Sequence, residues 1–186
     1  REHARHLSDA GRAMSFELLV YAASREEPTL EQVGKLLALS GWRWAAVAAE
    51  GAPRRASRLG GCRALGWDPA DGIGAAVQSA VAAGSAEALA ELADSLSEVA
   101  VEGAAPCTID GDALEELREE GHAPALVARI ERAAVRYRFS TAEPATEEAV
   151  EFLWALASAV GVLTEGVLED IEDGTLLDCT EIDDED

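Results

Sequence analysis

The 186-residue sequence is poor in aromatic, cationic and sulfur-containing residues. Aromatic side chains account for 5% of the chain, and alanine supplies much of the apolar share, which predicts a helix-rich protein with a thin sheet. The three cysteines, Cys62, Cys107 and Cys179, lie far apart and form no CxxC pair. Their spacing predicts reduced structural thiols and no disulfide framework.

Long apolar segments are also missing, because Glu, Arg or Gly interrupts the apolar stretches before they reach the ~20 residues that cross a bilayer. The stretch from Arg1 to Arg12 is polar and lacks the apolar middle of a signal peptide. We therefore expect a cytoplasmic protein without a membrane anchor. Residues 1–13, which precede the single methionine Met14, are interpreted as an N-terminal extension.

The motifs that mark common catalytic and cofactor sites are absent from the sequence. It contains no G-x-S-x-G, HExxH, Walker A loop, GxGxxG or EF-hand spacing. We therefore expect a non-enzymatic protein without a cofactor or a resident metal. The alternative is nucleophilic chemistry by one of the cysteines with His122, although nothing in the local sequence brings such a pair together.

Charge is the most informative property of the sequence, which has a formal net charge of −21. Residues 1–66 carry ten cationic and seven acidic side chains, whereas residues 67–186 carry five cationic and twenty-nine acidic side chains. Such a negative surface repels nucleic acid and anionic lipid and attracts basic protein surfaces. A strongly acidic surface also keeps a protein soluble, so solubility is the alternative explanation of this pattern.

Acidity is concentrated at the carboxyl end, where residues 163–186 contain eleven acidic residues and no basic residue. From this run we predict an acidic protein-interaction module, of the inhibitor or immunity type, that binds a basic partner protein. Neither direct nucleic-acid binding nor a membrane partner is expected. The predicted partner-binding residues are Glu165, Glu169, Asp170, Glu172, Asp173 and Asp178.

An arginine-rich loop supports a second hypothesis. Between Gly51 and Trp67 there is no acidic residue. Guanidinium groups bind phosphate through paired hydrogen bonds, so the alternative is a regulatory domain that binds a phosphorylated small molecule through this loop. The same loop could instead dock onto the protein's own acidic carboxyl-terminal region. Its candidate ligand-binding residues are Arg54, Arg55, Arg58 and Arg63.

Hydrophobic periodicity predicts two similar strand–helix–strand units. In the first unit, a strand over residues 16–23 precedes a helix that begins at the capping residue Thr29, and a second strand follows over residues 42–49. Residues 51–74 are predicted to form a long loop or a short irregular hairpin.

In the second unit, an alternating strand over residues 135–141 precedes a long helix capped by Thr146. A hairpin follows, with its turn at Asp173-Gly174, a favoured two-residue turn.

The two capped helices share a sequence pattern, since six of eleven positions agree between residues 29–39 and residues 146–156. Chance convergence of amphipathic helices is the alternative explanation. Two such units can pack as one sheet with both helices on one face, so the predicted fold is α+β with a mainly antiparallel sheet of ferredoxin-like tendency. The predicted domain covers residues 14–180, with a helical insertion over about 75–133 and an acidic tail over 181–186.

Overall fold

The computed structural model describes residues 15–180, and within this range the chain forms an α+β fold with a seven-stranded antiparallel sheet. The strands are β1 (Glu17–Ala22), β2 (Arg43–Ala48), β3 (Cys62–Trp67), β4 (Ser97–Pro106), β5 (Val135–Thr141), β6 (Val167–Asp170) and β7 (Thr175–Asp178). The helices are α1 (Leu30–Leu39), α2 (Gly74–Ala83), α3 (Ala86–Ala90), α4 (Gly111–Glu119), α5 (Pro124–Glu131) and α6 (Glu147–Leu163).

The strands lie in the order β2-β3-β4-β5-β1-β6-β7, and each neighbouring pair is antiparallel. The α+β class and the mainly antiparallel sheet are therefore confirmed. The ferredoxin-like arrangement is not confirmed, because β3 and β4 separate β2 from β5 and make the sheet larger than two strand–helix–strand units.

Both additional strands lie where the sequence predicted something else. The segment 51–74, predicted as a long loop or a short irregular hairpin, contains β3, which pairs with β2. The predicted helical insertion over 75–133 contains β4 as well as four helices. Each of these strands is paired on both sides. Tertiary pairing thus overrides the weak strand propensity of their glycine- and alanine-containing sequences.

Side-chain caps begin the two long helices, as the sequence predicted. Thr29 Oγ1 accepts a hydrogen bond from Gln32 N at 3.2 Å, and Gln32 Oε1 accepts one from Thr29 N at 2.9 Å. At the start of α6, Thr146 Oγ1 accepts a hydrogen bond from Ala149 N at 3.1 Å. Each cap satisfies an N–H group that the first helical turn leaves unpaired, so local sequence determines where both helices begin.

Helices α1 and α6 cover one face of the sheet, here called the first face, and contact each other. Alternate residues of β5 point to this face, and Phe152 of α6 is fully buried against it. Burial of these large side chains provides the main hydrophobic stabilisation of the fold. The core includes Leu18, Val20, Val33, Leu37, Leu59, Ala64, Val99, Val101, Val135, Tyr137, Phe139, Leu153, Leu156, Val160 and Leu168.

Two separate pairs of short helices pack on the second face. Helices α2 and α3 pack against Val47, Leu65 and Trp67 of β2 and β3. Helices α4 and α5 pack against β1, β6 and β7 in a different cluster. The second faces of β4 and β5 contribute to neither cluster, and we call this uncovered strip the central groove. Its floor consists of Glu98, Ala100 and Glu102 on β4 and Arg136, Arg138 and Ser140 on β5.

Within residues 15–180, no helix combines the length and the apolarity needed to cross a membrane. The predicted N-terminal extension over 1–13 and the predicted acidic tail over 181–186 lie outside the described residues. Both stay predictions.

Gly66 of β3 permits a very close approach between the sheet and α6. A Cβ atom at this position would lie 2.5 Å from two ring carbons of Phe152. We expect Gly66→Ala to lower the free energy of unfolding by about 1–3 kcal/mol, because the buried ring would have to move. Urea denaturation followed by circular dichroism measures the change.

Gly111→Ala is the matched control, because nothing lies within 4 Å of a Cβ atom added at Gly111. Gly111 is the first residue of α4, where alanine favours the helix. We expect this substitution to change stability by less than about 0.5 kcal/mol or to stabilise the protein slightly. Equal losses from the two substitutions would contradict the packing of α6 on β3.

Candidate functional site

Opposite charges pair across the strands of the central groove. Arg63 of β3 donates a hydrogen bond to Glu98 Oε1 at 3.1 Å. Arg138 of β5 forms an ion pair with Glu17 of β1 and a looser one, at 3.7 Å, with Glu102 of β4. These side chains are between 25% and 67% exposed, so each pair contributes only about 0–1 kcal/mol. The groove floor is therefore locally balanced in charge on a strongly acidic molecule.

A second charged surface surrounds the turn between β6 and β7. Gly174 in this turn lies beside Glu120, whose Oε2 atom is 3.9 Å from the position of a Cβ atom at Gly174. Glu116 lies one helical turn before Glu120 on the same side of α4. The end of α4 and the β6–β7 turn therefore lie next to each other, and both segments carry carboxylates. We call this surface the acidic face, and it consists of Glu116, Glu120, Asp170, Glu172 and Asp173.

The carboxylates of the acidic face lack strong cationic neighbours. None of the five forms an ion pair with an Arg or Lys of the described chain, and Glu120 Oε2 lies 3.1 Å from Nε2 of His122. Burial and the charge of Asp173 raise the pKa of Asp170. Burial and the charges of Asp170 and Asp173 likewise raise the pKa of Glu172. The turn therefore concentrates like charge that folding does not neutralise.

Three of the six predicted partner-binding residues, Asp170, Glu172 and Asp173, converge on the acidic face. Local hydrogen bonds fix two of them: Asp170 Oδ1 accepts one from Glu172 N at 2.9 Å, and Asp173 Oδ1 accepts one from Thr175 N at 2.8 Å. These bonds explain why aspartates form this turn, since such side chains satisfy backbone N–H groups locally.

The other three predicted residues have different surroundings. Tyr21 donates its hydroxyl hydrogen to Glu169 Oε2 at 2.6 Å, and burial together with this carboxylate raises the pKa of Tyr21. Asp178 pairs with Arg129 of α5 at 2.6 Å. Glu165 is exposed, and its carbonyl oxygen accepts a hydrogen bond from Arg129. Glu169 therefore holds β1, and Asp178 holds α5. Their carboxylates are less available to a partner than those of the acidic face.

The four arginines of the alternative ligand site have different neighbours. Arg55 donates to Gln78 of α2 at 3.0 Å, whereas Arg63 points into the central groove. The side chains of Arg54 and Arg58 are exposed, and neither forms an ion pair with another residue of the range 15–180. Their placement adds no support to the hypothesis of one phosphate-binding site.

Two shallow depressions lie beside α5, with volumes of about 280 and 270 Å³. Small-molecule sites usually occupy about 300–1,000 Å³ and are better enclosed. Neither depression is lined by the arginines of the 51–67 loop. Across the described chain, no group of three or more His, Cys, Asp or Glu side chains is arranged to hold a metal ion.

The three cysteines are free thiols, of which Cys62 is buried and Cys107 and Cys179 are partly buried. Burial raises the pKa of Cys62 to about 12. Burial also raises the pKa of Cys107 and that of Cys179. Because the thiolate is the nucleophile, a raised pKa opposes the reaction of each of these thiols.

Several residues of these two surfaces are not identified by the sequence alone. Glu116 and Glu120 had a recognisable signal, because acids four residues apart share one side of a helix. The residues of the central groove had no such local signal, because Arg138 and Glu17 lie 121 positions apart in the chain. Only the strand register brings such pairs together.

Comparison of the chain with protein-family models, with curated proteins and with solved structures gives no match. The function is therefore inferred from the residues of this chain and their placement.

The ion pair of Asp178 with Arg129 joins β7 to α5. Hydrogen bonds from the Thr180 hydroxyl and the Arg129 guanidinium lower the pKa of Asp178 to about 2. Because this folded-state pKa lies below the unfolded value of 3.8, the carboxylate stabilises the fold above about pH 4, and the contribution is lost as the pH falls towards 2. We expect Asp178→Asn to lower the free energy of unfolding by about 1 kcal/mol at pH 7.

Urea denaturation at pH 7 and pH 3 measures this effect, which is expected to shrink at the lower pH. Glu131→Gln is the control, because the ion pair of Glu131 with Arg118 is about half exposed and is worth less than about 0.5 kcal/mol. An Asp178→Asn effect that is no larger than the control, or that grows in acid, would contradict the assigned role.

Proposed function

We propose that this protein is a non-enzymatic interaction module, of the inhibitor or immunity type, that binds a basic partner protein through its acidic face. The observation that carries the proposal is the convergence of carboxylates from α4 and from the β6–β7 turn, without an Arg or Lys of the described residues to neutralise them. Such a fixed array of like charge is complementary to a cluster of lysines and arginines.

Binding of a basic partner would relieve the repulsion within the turn. The pKa values of Asp170 and Glu172 are raised partly by neighbouring carboxylates. A lysine or arginine docked among these groups would lower both pKa values. The complex is therefore expected to weaken as the pH falls through the pKa values of these carboxyl groups, because their protonated forms do not attract cations.

The proposed partner is a protein rather than a nucleic acid. Phosphate backbones need cationic contacts for affinity, and the acidic face offers only carboxylates. Long-range attraction between an acidic face and a basic surface increases the association rate and is screened by salt. A strong dependence on ionic strength is therefore the expected kinetic signature.

A variant with a neutral turn tests the proposal. Asp170→Asn, Glu172→Gln and Asp173→Asn remove three charges, while asparagine keeps the Oδ1 atom that accepts each hydrogen bond of the turn. We expect the unsubstituted protein to capture a basic protein at low ionic strength, and the variant to bind that protein at least about tenfold more weakly. Mass spectrometry identifies the captured protein, and surface plasmon resonance measures both affinities and their salt dependence.

The matched control removes the same number of charges from the opposite side of the molecule. Glu87→Gln, Glu91→Gln and Asp94→Asn lie in or next to α3, where all three side chains are exposed. We expect this control to bind nearly as well as the unsubstituted protein. Equal weakening of both variants would show that only net charge matters, and capture of no basic protein would remove the support for this function.

A further inference from the structure

We propose that the central groove is a docking surface for one α-helix of a partner protein, with acidic side chains over β5 and basic side chains over β4. The groove uses none of the residues of the acidic face, so this inference goes beyond the function proposed above.

The groove has the width of a single helix. Its two sides are the pair α2–α3, which covers β2 and β3, and the pair α4–α5, which covers β1, β6 and β7. Helix α2 contacts β2, and α5 contacts β1 and β6. Neighbouring strands are about 4.8 Å apart, so β2 lies about 19 Å from β1 and about 24 Å from β6. A helix with its side chains is about 10–12 Å wide. One helix would therefore complete the layer that the two helix pairs begin.

Small residues form the middle of the groove floor. Ala100 and Ser140 are opposite each other in the β4–β5 register, and Ala100 is exposed. The next pair on the same face, Glu102 and Arg138, has long charged side chains. A docked helix would approach the sheet most closely at Ala100 and Ser140, and its flanks would reach the charged side chains.

The charges of the floor form two stripes of opposite sign. The acidic stripe lies along β4 and consists of Glu98 and Glu102, and the basic stripe lies along β5 and consists of Arg136 and Arg138. Part of this charge is available to a partner, because Glu102 is 67% exposed and Arg136 is exposed without an ion pair to any described residue. Glu17 competes for Arg138 from β1. Charge complementarity therefore favours a helix with carboxylates above β5 and cations above β4.

Other occupants match this floor poorly. Glu98 and Glu102 repel phosphates, and none of the floor residues is aromatic, so nucleic acid would find no stacking platform. A second copy of the chain would bring together two molecules that each carry a formal charge of −21, and like charges at this density oppose association.

Two synthetic peptides of about 18 residues, or five helical turns, test the proposal with the full chain. Each is held helical by a lactam bridge on its outer side. In the striped peptide, alanines face inward, glutamates line one flank and lysines line the other. The scrambled peptide has the same composition but carries both signs on each flank. We expect the striped peptide to bind about tenfold more tightly in fluorescence anisotropy, a difference of about 1.4 kcal/mol. Its addition is expected to shift the amide NMR signals of β4 and β5.

A charge-exchange variant separates this site from a general charge effect. Arg136→Glu combined with Glu102→Arg breaks both stripes at constant net charge and is expected to remove the preference for the striped peptide. Arg54→Glu combined with Glu91→Arg changes exposed residues outside the groove and is expected to keep the preference. If the first variant does not fold, the two peptides on the unsubstituted protein decide the question.

Four results would overturn the proposal. They are equal affinity of the unsubstituted protein for the two peptides, no saturable binding of the striped peptide, NMR shifts confined to the acidic face, and tighter binding of a single-stranded RNA oligonucleotide than of the striped peptide. A fifth result would also overturn it: a homodimer in light scattering whose β4 and β5 amide NMR signals shift on dilution, because the occupant would then be a second copy of the chain.

Discussion

The two-sided character of β5 is the constraint on which the rest of the structure depends. This strand lies between β4 and β1, with Tyr137 and Phe139 in the first-face core and Arg136 and Arg138 on the opposite face. A shift of its register by one residue would bury the arginines and expose the aromatic rings, which is strongly unfavourable. The same alternation that secures the core therefore places cations in the middle of the second face.

The two faces of the sheet have different roles as a result. Helices α1 and α6 cover the first face, and its large side chains are committed to the hydrophobic core. The second face is covered only at its sides, where α2–α3 and α4–α5 form separate clusters. The two surfaces that we propose for recognition lie between those clusters and at the β6–β7 turn. The central groove is balanced in charge, whereas the acidic face is uniformly negative, so the two surfaces suit partners of different chemistry.

Local signals predicted the parts of the fold that local interactions determine. The caps of Thr29 and Thr146 and the alternation of β5 are confirmed, because caps and periodicity act within a few residues. The start of α4 is fixed in the same local way, because its N-cap Asp110 accepts a hydrogen bond from Asp112 N. The strands β3 and β4 were missed. Gly66 weakens the strand pattern of β3 and is needed there because Phe152 occupies the space of its side chain. The acidic turn was found from composition, but its continuation onto α4 and the pairs of the groove depend on tertiary contacts.

The central claim is that β4 and β5 have one buried face and one open face, and thiol labelling tests it most directly. Cys62 on β3 is 1% exposed on the first face, and Ala100, in the adjacent strand, is exposed on the second. With Cys107 and Cys179 replaced by serine, the measurement compares the labelling rate of Cys62 with that of a thiol introduced by Ala100→Cys. The structure predicts that the introduced thiol reacts at about the rate of a free thiol and at least about a hundredfold faster than Cys62, which has to wait for local opening. Equal protection of both thiols would contradict the open groove and the account built on it.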